Sequence, residues 1–158
     1  MDPFEFRQLC GRFATGVTIV TALDPDGLPV GMTANSFASV SLAPPLISVA
    51  VEHTASLHGV LGQVKGFTVN ILESHQEALS RRFAAGLPDR FEGIGWHRGP
   101  EGGIILDGAL AHIRCDIWNA VEAGDHTVVI GRVVGGAAAE HGRPLLYYRG
   151  GYGYPDVL

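Results

Sequence analysis

The sequence predicts a mainly β protein: an antiparallel Greek-key barrel, closed or partly open, with a few short α-helices attached. Three observations carry this. Several segments of five to eight residues alternate apolar and polar side chains with a period of two. Gly, Pro and Asp clusters separate them, and only short stretches show helical spacing. A chain of 158 residues is long enough for one domain that buries about two-thirds of its unfolded surface. Closing the sheet on itself also removes exposed strand edges. One domain spanning 1–158 is expected, with no internal repeat or linker.

The chain opens with a helix, because Asp2 is a natural N-cap, Pro3 fits the first helical position and Glu5 stands three residues after the cap. Phe6, Leu9, Cys10 and Phe13 recur at helical spacing, and Gly16 is the expected end. From Val17 the period becomes two, with Val17, Ile19, Thr21 and Leu23 on one face and Thr18, Val20 and Ala22 on the other. The turn Asp24-Pro25-Asp26-Gly27 leads into a second strand through Val30 and Met32. Further strands are predicted at 36–41, 46–52 and 67–72, the first two separated by Pro44-Pro45.

Two short helices interrupt the β pattern. One starts at Thr54-Ala55-Ser56 and carries Leu57, Val60 and Leu61; the other covers 74–84 with Ala78, Leu79 and Phe83 inward. Residues 86–103, rich in Gly and charge, read as a surface loop bearing Phe91 and Trp96. The last third is again β: 110–121 alternates well, Gly124-Asp125-His126 makes a hairpin turn, and 127–134 and 144–148 are the remaining strands.

Composition excludes several functions. Charged residues are 17% of the chain, the net charge is −5, and Lys65 is the sole lysine, so there is no basic stripe for nucleic acid. The apolar share of 46% exceeds what a small monomer needs, and a second copy of the chain is the expected cover. No basic, apolar leader and no apolar run of membrane-spanning length is present, which makes cytoplasm the expected location. Cys10 and Cys115 lie far apart outside any ligand spacing, and His53, His58, His75, His97, His112 and His141 show no paired spacing. No metal site is expected, and these histidines read as surface groups or supports of another site.

Five segments remain to be weighed for chemistry. Thr33-Ala34-Asn35-Ser36 is small enough for a planar ligand to approach the backbone, with Ser39 and Ser41 two apart on one strand. The same hydroxyls would equally cap turns or line a polar strand face. Thr54-Ala55-Ser56 opens a helix whose N–H groups suit a phosphate, although ordinary capping explains it too. Gly93-Ile94-Gly95 and Gly151-Tyr152-Gly153 lack the third glycine and the strand-to-helix context of a dinucleotide fingerprint. Asp125-His126 is an adjacent acid–imidazole pair able to orient an imidazole toward a carboxamide or a developing charge, and no G-x-S-x-G elbow supports a hydrolase.

In order along the chain, 13–21 (FATGVTIVT), 31–46 (GMTANSFASVSLAPPL), 67–72 (FTVNIL), Phe83, Arg90-Phe91, Gly124-Asp125-His126 and 144–148 (PLLYY) resemble the flavin reductase family with an FMN-binding split barrel. The resemblance spans nearly the whole chain. It implies a homodimeric NAD(P)H:flavin oxidoreductase that supplies reduced FMN or FAD, generated with NADH or NADPH, to a partner monooxygenase. By position, Thr33, Ala34, Asn35 and Ser36 would face the isoalloxazine ring, and Ser39, Val40 and Ser41 the ribityl chain. Ala50 and Val51 would flank the ring, and Ser56, with Arg82 or Phe83, would meet the phosphate end. Gly124, Asp125 and His126 would meet the nicotinamide, with His126 positioning or polarising rather than serving as an obligate base, and Tyr152 completes the cofactor-binding set. A flavin-storing or flavin-sensing module of the same fold, and a flavin or haem protein of the pyridoxamine-phosphate-oxidase-like barrels, are the alternative readings.

Overall fold

A computed structural model describes residues 1–155. Seven strands form one antiparallel sheet: β2 (Thr18–Leu23), β3 (Pro29–Ala34), β4 (Ala38–Leu42), β5 (Pro45–Glu52), β6 (Gly66–Ile71), β9 (Ala111–Ala123) and β10 (His126–Ala138). Their order is β3-β2-β6-β9-β10-β5-β4, so the two edges are strands consecutive in the chain. The sheet therefore curls until β3 and β4 meet at the turn 35–37, but no ladder closes it, and the barrel is split there. A second sheet joins β1 (Thr15–Gly16), β11 (Leu146–Tyr148) and β12 (Gly151–Gly153), and β7 (Trp96–Arg98) pairs with β8 (Ile104–Leu106). Helices α1 (Pro3–Cys10), α2 (Ser56–Leu61) and α3 (Glu77–Ala84) complete the fold, α2 and α3 packing on β3. Among the described residues no helix is long and apolar enough to cross a membrane.

The first helix starts as expected, with the Asp2 carboxylate accepting from Phe4 N at 2.7 Å and Glu5 N at 3.0 Å. It ends at Gly11 rather than Gly16, and Phe13 lies beyond it. Its apolar face meets no core: Phe4, Phe6, Leu9 and Phe13 are all more than half exposed. On β2 the alternation is hidden, because Thr18 to Ala22 are buried on both faces. One face points into the barrel and the other packs against β8. The 86–103 region is thus more than a surface loop: β7 forms within it and pairs with β8 just beyond it, where Ile104, Ile105 and Leu106 are all buried.

Helix α3 starts at Glu77, later than the predicted 74, because the Glu73 carboxylate organises the preceding turn. It accepts from His75 N at 2.9 Å, from Ser74 Oγ and from Arg143 N at 3.1 Å, tying the end of β6 to the segment entering β11. Ala78, expected inward, is exposed, and Ser80 and Phe83 hold the buried face. These donors, His75 N first and Arg143 N next, pull the Glu73 carboxyl from its ordinary 4.5 to about 2. Because the folded value is the depressed one, its contribution is complete above the ordinary value and drains away as pH falls from 4.5 toward 2. Urea midpoints of the wild type should therefore fall more steeply across that interval than those of Glu73→Gln, and parallel curves would remove this role.

The barrel interior holds Val20, Val49, Val51, Leu57, Phe67, Val69, Cys115 and Val129, and a second cluster packs Val17, Ile19, Leu72, Phe83, Leu106 and Leu145. Gly131 of β10 lies over the first cluster, where a Cβ would come within 2.7 Å of Cys115 Cβ and Phe67 Cζ. Glycine is thus required for close strand packing. Burial pushes the Cys115 thiol up to about 12, which removes it from thiolate chemistry.

Candidate functional site

The split in the barrel positions the site. The turn 35–37 has no ladder partner on either strand, and Ser36 closes the gap with its side chain. Its Oγ accepts from Ala50 N at 3.0 Å and donates to Ala50 O at 3.1 Å, so one hydroxyl takes the place of a strand pair between the β3–β4 turn and β5. Thr33 Oγ1 donates to Ser80 O at 2.6 Å, and Thr18 Oγ1 donates to Ala34 O at 2.7 Å, anchoring the strand just before the turn. The hydroxyls of Thr33 and Ser36 are thus committed to backbone, and what the segment offers a ligand is its own unpaired backbone and the Asn35 amide.

Thr33, Ala34 and Asn35 line an open groove of about 220 Å³ with Val17, Tyr147 and Tyr152. Tyr152 OH lies 2.8 Å from Ser80 Oγ, its ring packs edge-on to Tyr147 with centroids 5.2 Å apart, and the Arg81 guanidinium sits 4.8 Å over it. Sequence spacing does not signal Ser80; strand and helix meet there only in the folded chain.

A second surface continues from Ala50. Along β5, Ile47, Val49 and Val51 point inward while Ser48, Ala50 and Glu52 face out. On β10, Thr127 and Val129 point inward while His126, Val128 and Ile130 face out. Register pairs Ser48 with Ile130, Ala50 with Val128 and Glu52 with His126, which makes a half-exposed platform ending at the β9–β10 turn. Ala50 and His126 are one strand repeat apart on this face, about 7 Å by strand rise. Val128 and Ile130 are not among the residues expected from the sequence; the register of β5 against β10 reveals them.

At the turn, Gly124 adopts φ +66, a conformation glycine takes readily, and the chain reverses into β10. His126 Nδ1 lies 2.7 Å from Asp125 Oδ1, so Nδ1 donates and Nε2 is left to meet a ligand. That bond is the main cause holding the Asp125 carboxyl below the usual aspartate range. His53 N donates to Asp125 O at 3.0 Å, fixing the turn against the end of β5.

Other expected residues lie differently. Val51 is fully buried, because a strand shows alternate residues to opposite faces and Ala50 takes the outward one. Phe83 is 1% exposed and packs edge-on to Phe91, so it shapes the core under the groove. Arg82 is spent on the carbonyls of Asp89, Arg90 and Glu92 and holds a loop together. Ser39 and Ser41 do not share a regular strand face: a bulge at Val40 pairs them with the consecutive residues Ile47 and Leu46. Ser56 is exposed at the start of α2, where Ala55, not Thr54, takes the cap position without a side-chain bond.

Small residues around an unpaired backbone segment, an aromatic-sided groove and a flat platform suit a planar, polar-edged ring system, and the residues present fit a flavin. A split antiparallel barrel with that surface defines a class of flavin-handling proteins. The model of the family described as "Flavin reductase like domain" matches residues 10–155, and the chain belongs to that family. It is 43% identical over 152 residues to the reductase subunit HsaB of a flavin-dependent monooxygenase from Rhodococcus jostii, covering 96% of this chain and 77% of that one. A flavin reductase (NADH) from Kitasatospora aureofaciens is 42% identical over 155 residues, covering 96% and 81%. Among solved structures, the Streptomyces globisporus NADH:FAD oxidoreductase SgcE6, in complex with NAD and FAD fragments, superposes with a TM-score of 0.90 at 39% identity, covering 96% of this chain and 91% of that one.

Proposed function

We propose that this chain is an NAD(P)H:flavin oxidoreductase that passes reduced FMN or FAD to a separate monooxygenase. The observation that carries the reading is the continuous outer surface from the unpaired 35–37 turn through Ala50 and Val128 to His126, in a chain of this family. When bound, flavin and nicotinamide supply the hydride chemistry themselves. The protein's task is to hold two rings face to face, which the platform and turn do without an activated nucleophile. Asn35 and the free backbone of the turn orient the polar edge of the flavin, Ala34 and Ala50 admit close approach, and Ser36 keeps the two walls in register. His126, aimed by Asp125, directs Nε2 at the nicotinamide carboxamide.

A homodimer accompanies this reading. Phe4, Phe6, Leu9 and Phe13 at the N-terminus, and Val40, Leu42, Trp118 and Val121 on the sheet, are exposed apolar side chains, and a second copy of the chain is the cover this reading gives them. The same reading puts the protein in the cytoplasm, beside the monooxygenase it serves.

Anaerobic mixing of the protein and FMN or FAD with NADH or NADPH tests the function. Rapid loss of the oxidised-flavin absorbance is expected, and the four combinations rank the cofactors. Flavin that binds but is not bleached would replace the reductase with a storage or sensing module.

A further inference from the structure

Beside the Gly124-Asp125-His126 turn lies a cluster that flavin and nicotinamide chemistry does not use. His53, from the β5–α2 connection, His58, in α2, and Glu122, at the end of β9, each offer one ligand atom, and these atoms lie within 4.8 Å of one another. The register that pairs Val51 with Thr127 brings these distant segments together.

The hydrogen bonds show how the groups are poised. Thr127 Oγ1 donates its proton to Glu122 Oε1 at 2.8 Å, so His58 Nε2, 2.8 Å from Thr127 Oγ1, donates to that hydroxyl. His53 Nε2 donates to the other carboxylate oxygen at 2.9 Å, and the two imidazole rings have centroids 4.9 Å apart. The Thr127 hydroxyl thus gives the Glu122 carboxylate an aligned supporting donor. Neither 46–64 nor 115–131 contains Lys or Arg, and Asp125 adds a further negative charge beside His53. A cavity of about 190 Å³ lined by His58, Leu61, Ile117, Glu122, Thr127 and Val129 opens beside two of the three groups, His58 and Glu122, with room for a solvent ligand.

We propose that His53, His58 and Glu122 bind a divalent transition metal of the Zn²⁺ class, with water in the fourth position. Two imidazoles and a carboxylate are a donor set that such borderline ions accept, and Mg²⁺, which prefers oxygen, is disfavoured. A tetrahedral site with bonds of about 2.0–2.1 Å places its donors roughly 3.4 Å apart. Rotation of partly exposed side chains brings the wider contacts in and opens the His53–Glu122 pair. Each imidazole turns a lone pair to the ion and carries its proton on the other ring nitrogen. Thr127 keeps Glu122 oriented throughout. The ion would bind the start of α2 to the hairpin that carries His126.

The test is calorimetric titration of the untagged, EDTA-treated full chain with Zn²⁺ and, separately, Mg²⁺. One Zn²⁺ per chain is expected, with no heat from Mg²⁺. His53→Gln and Glu122→Gln should each weaken Zn²⁺ binding at least tenfold, Thr127→Val about tenfold, and His126→Ala should leave it unchanged. Because His53 and Glu122 are exposed, these variants test the ion and not the core. Co²⁺ bound to the wild type gives a second reading, a visible spectrum of a nitrogen-ligated, four-coordinate ion. Absence of Zn²⁺ binding, binding that survives both glutamine variants, or a Co²⁺ spectrum of the hexa-aquo ion would each overturn the site. None of these readouts depends on flavin reduction.

Discussion

Asn70→Ala is expected to lower the unfolding free energy by about 3 kcal/mol, roughly what unsatisfied buried polar groups cost when one partner is deleted. Asn70 is fully buried in β6. Its Nδ2 donates to Ile19 O at 3.2 Å, Thr21 Oγ1 at 3.1 Å and Ile104 O at 3.3 Å, and its Oδ1 accepts from Leu106 N at 2.9 Å. One side chain thus fastens β2, β6 and β8, and alanine would strand the Leu106 N–H in an apolar cluster with no water to replace the partner. The effect should appear as a lower urea midpoint at unchanged m-value, and as a fall in Tm of about 6–12 °C at this chain length. Amide exchange at Leu106 should accelerate more than exchange at Val69 of the same strand as Asn70. A loss under about 1 kcal/mol, or equal acceleration at both amides, would show that the β7–β8 hairpin does not depend on this residue.

That hairpin also marks the limit of what the sequence makes legible. The Asp2 cap, the Asp24–Gly27 turn, the β5 and β6 strands and the Gly124-Asp125-His126 reversal depend on neighbours a few residues away, and they read directly from spacing. Strand β8 is three consecutive apolar residues after glycines, too short to show any period, and what buries it comes from β2 and β6. Spacing misplaces the end of α1 because apolar residues at helical intervals continue past Gly11, although no core receives them.

The candidate site divides in the same way. Residues 33–36 and 124–126 are local motifs, the first running from the end of a strand into a turn and the second reversing the chain, and both read from neighbouring residues alone. Ala50 and Val51 read as a pair in the sequence, but strand alternation permits only one side chain on the ligand face, and that choice depends on which face the barrel closes over. The Val40 bulge shifts Ser41 out of register with Ser39, and no residue in 39–41 announces it. The His53, His58 and Glu122 cluster and the Ser80–Tyr152 contact are products of register between remote segments. Spacing along the chain carries no trace of either.

His126→Ala should reduce kcat/KM for the nicotinamide about 10- to 100-fold while flavin affinity stays within about twofold of wild type. The size comes from losing a hydrogen bond that can be charge-assisted, worth about 1.5–3 kcal/mol when the group it served is left dry. The selectivity comes from position. His126 stands opposite Glu52 and Ala123 at the end of the platform, one repeat beyond Ala50, whereas the groups proposed to hold the flavin edge lie at 34–36 on the other side of Ala50. Removing the imidazole leaves the Ser36–Ala50 bridge and the groove beside Tyr152 in place. Asp125→Asn should have a smaller effect of the same kind, because the imidazole remains but loses the carboxylate that fixes Nδ1 as its donor. Steady-state kinetics varying the nicotinamide at saturating flavin, beside fluorescence titration of flavin alone, separate the two affinities. A parallel loss of flavin binding would move His126 into the flavin subsite, and unchanged nicotinamide kinetics would leave the turn a structural element only.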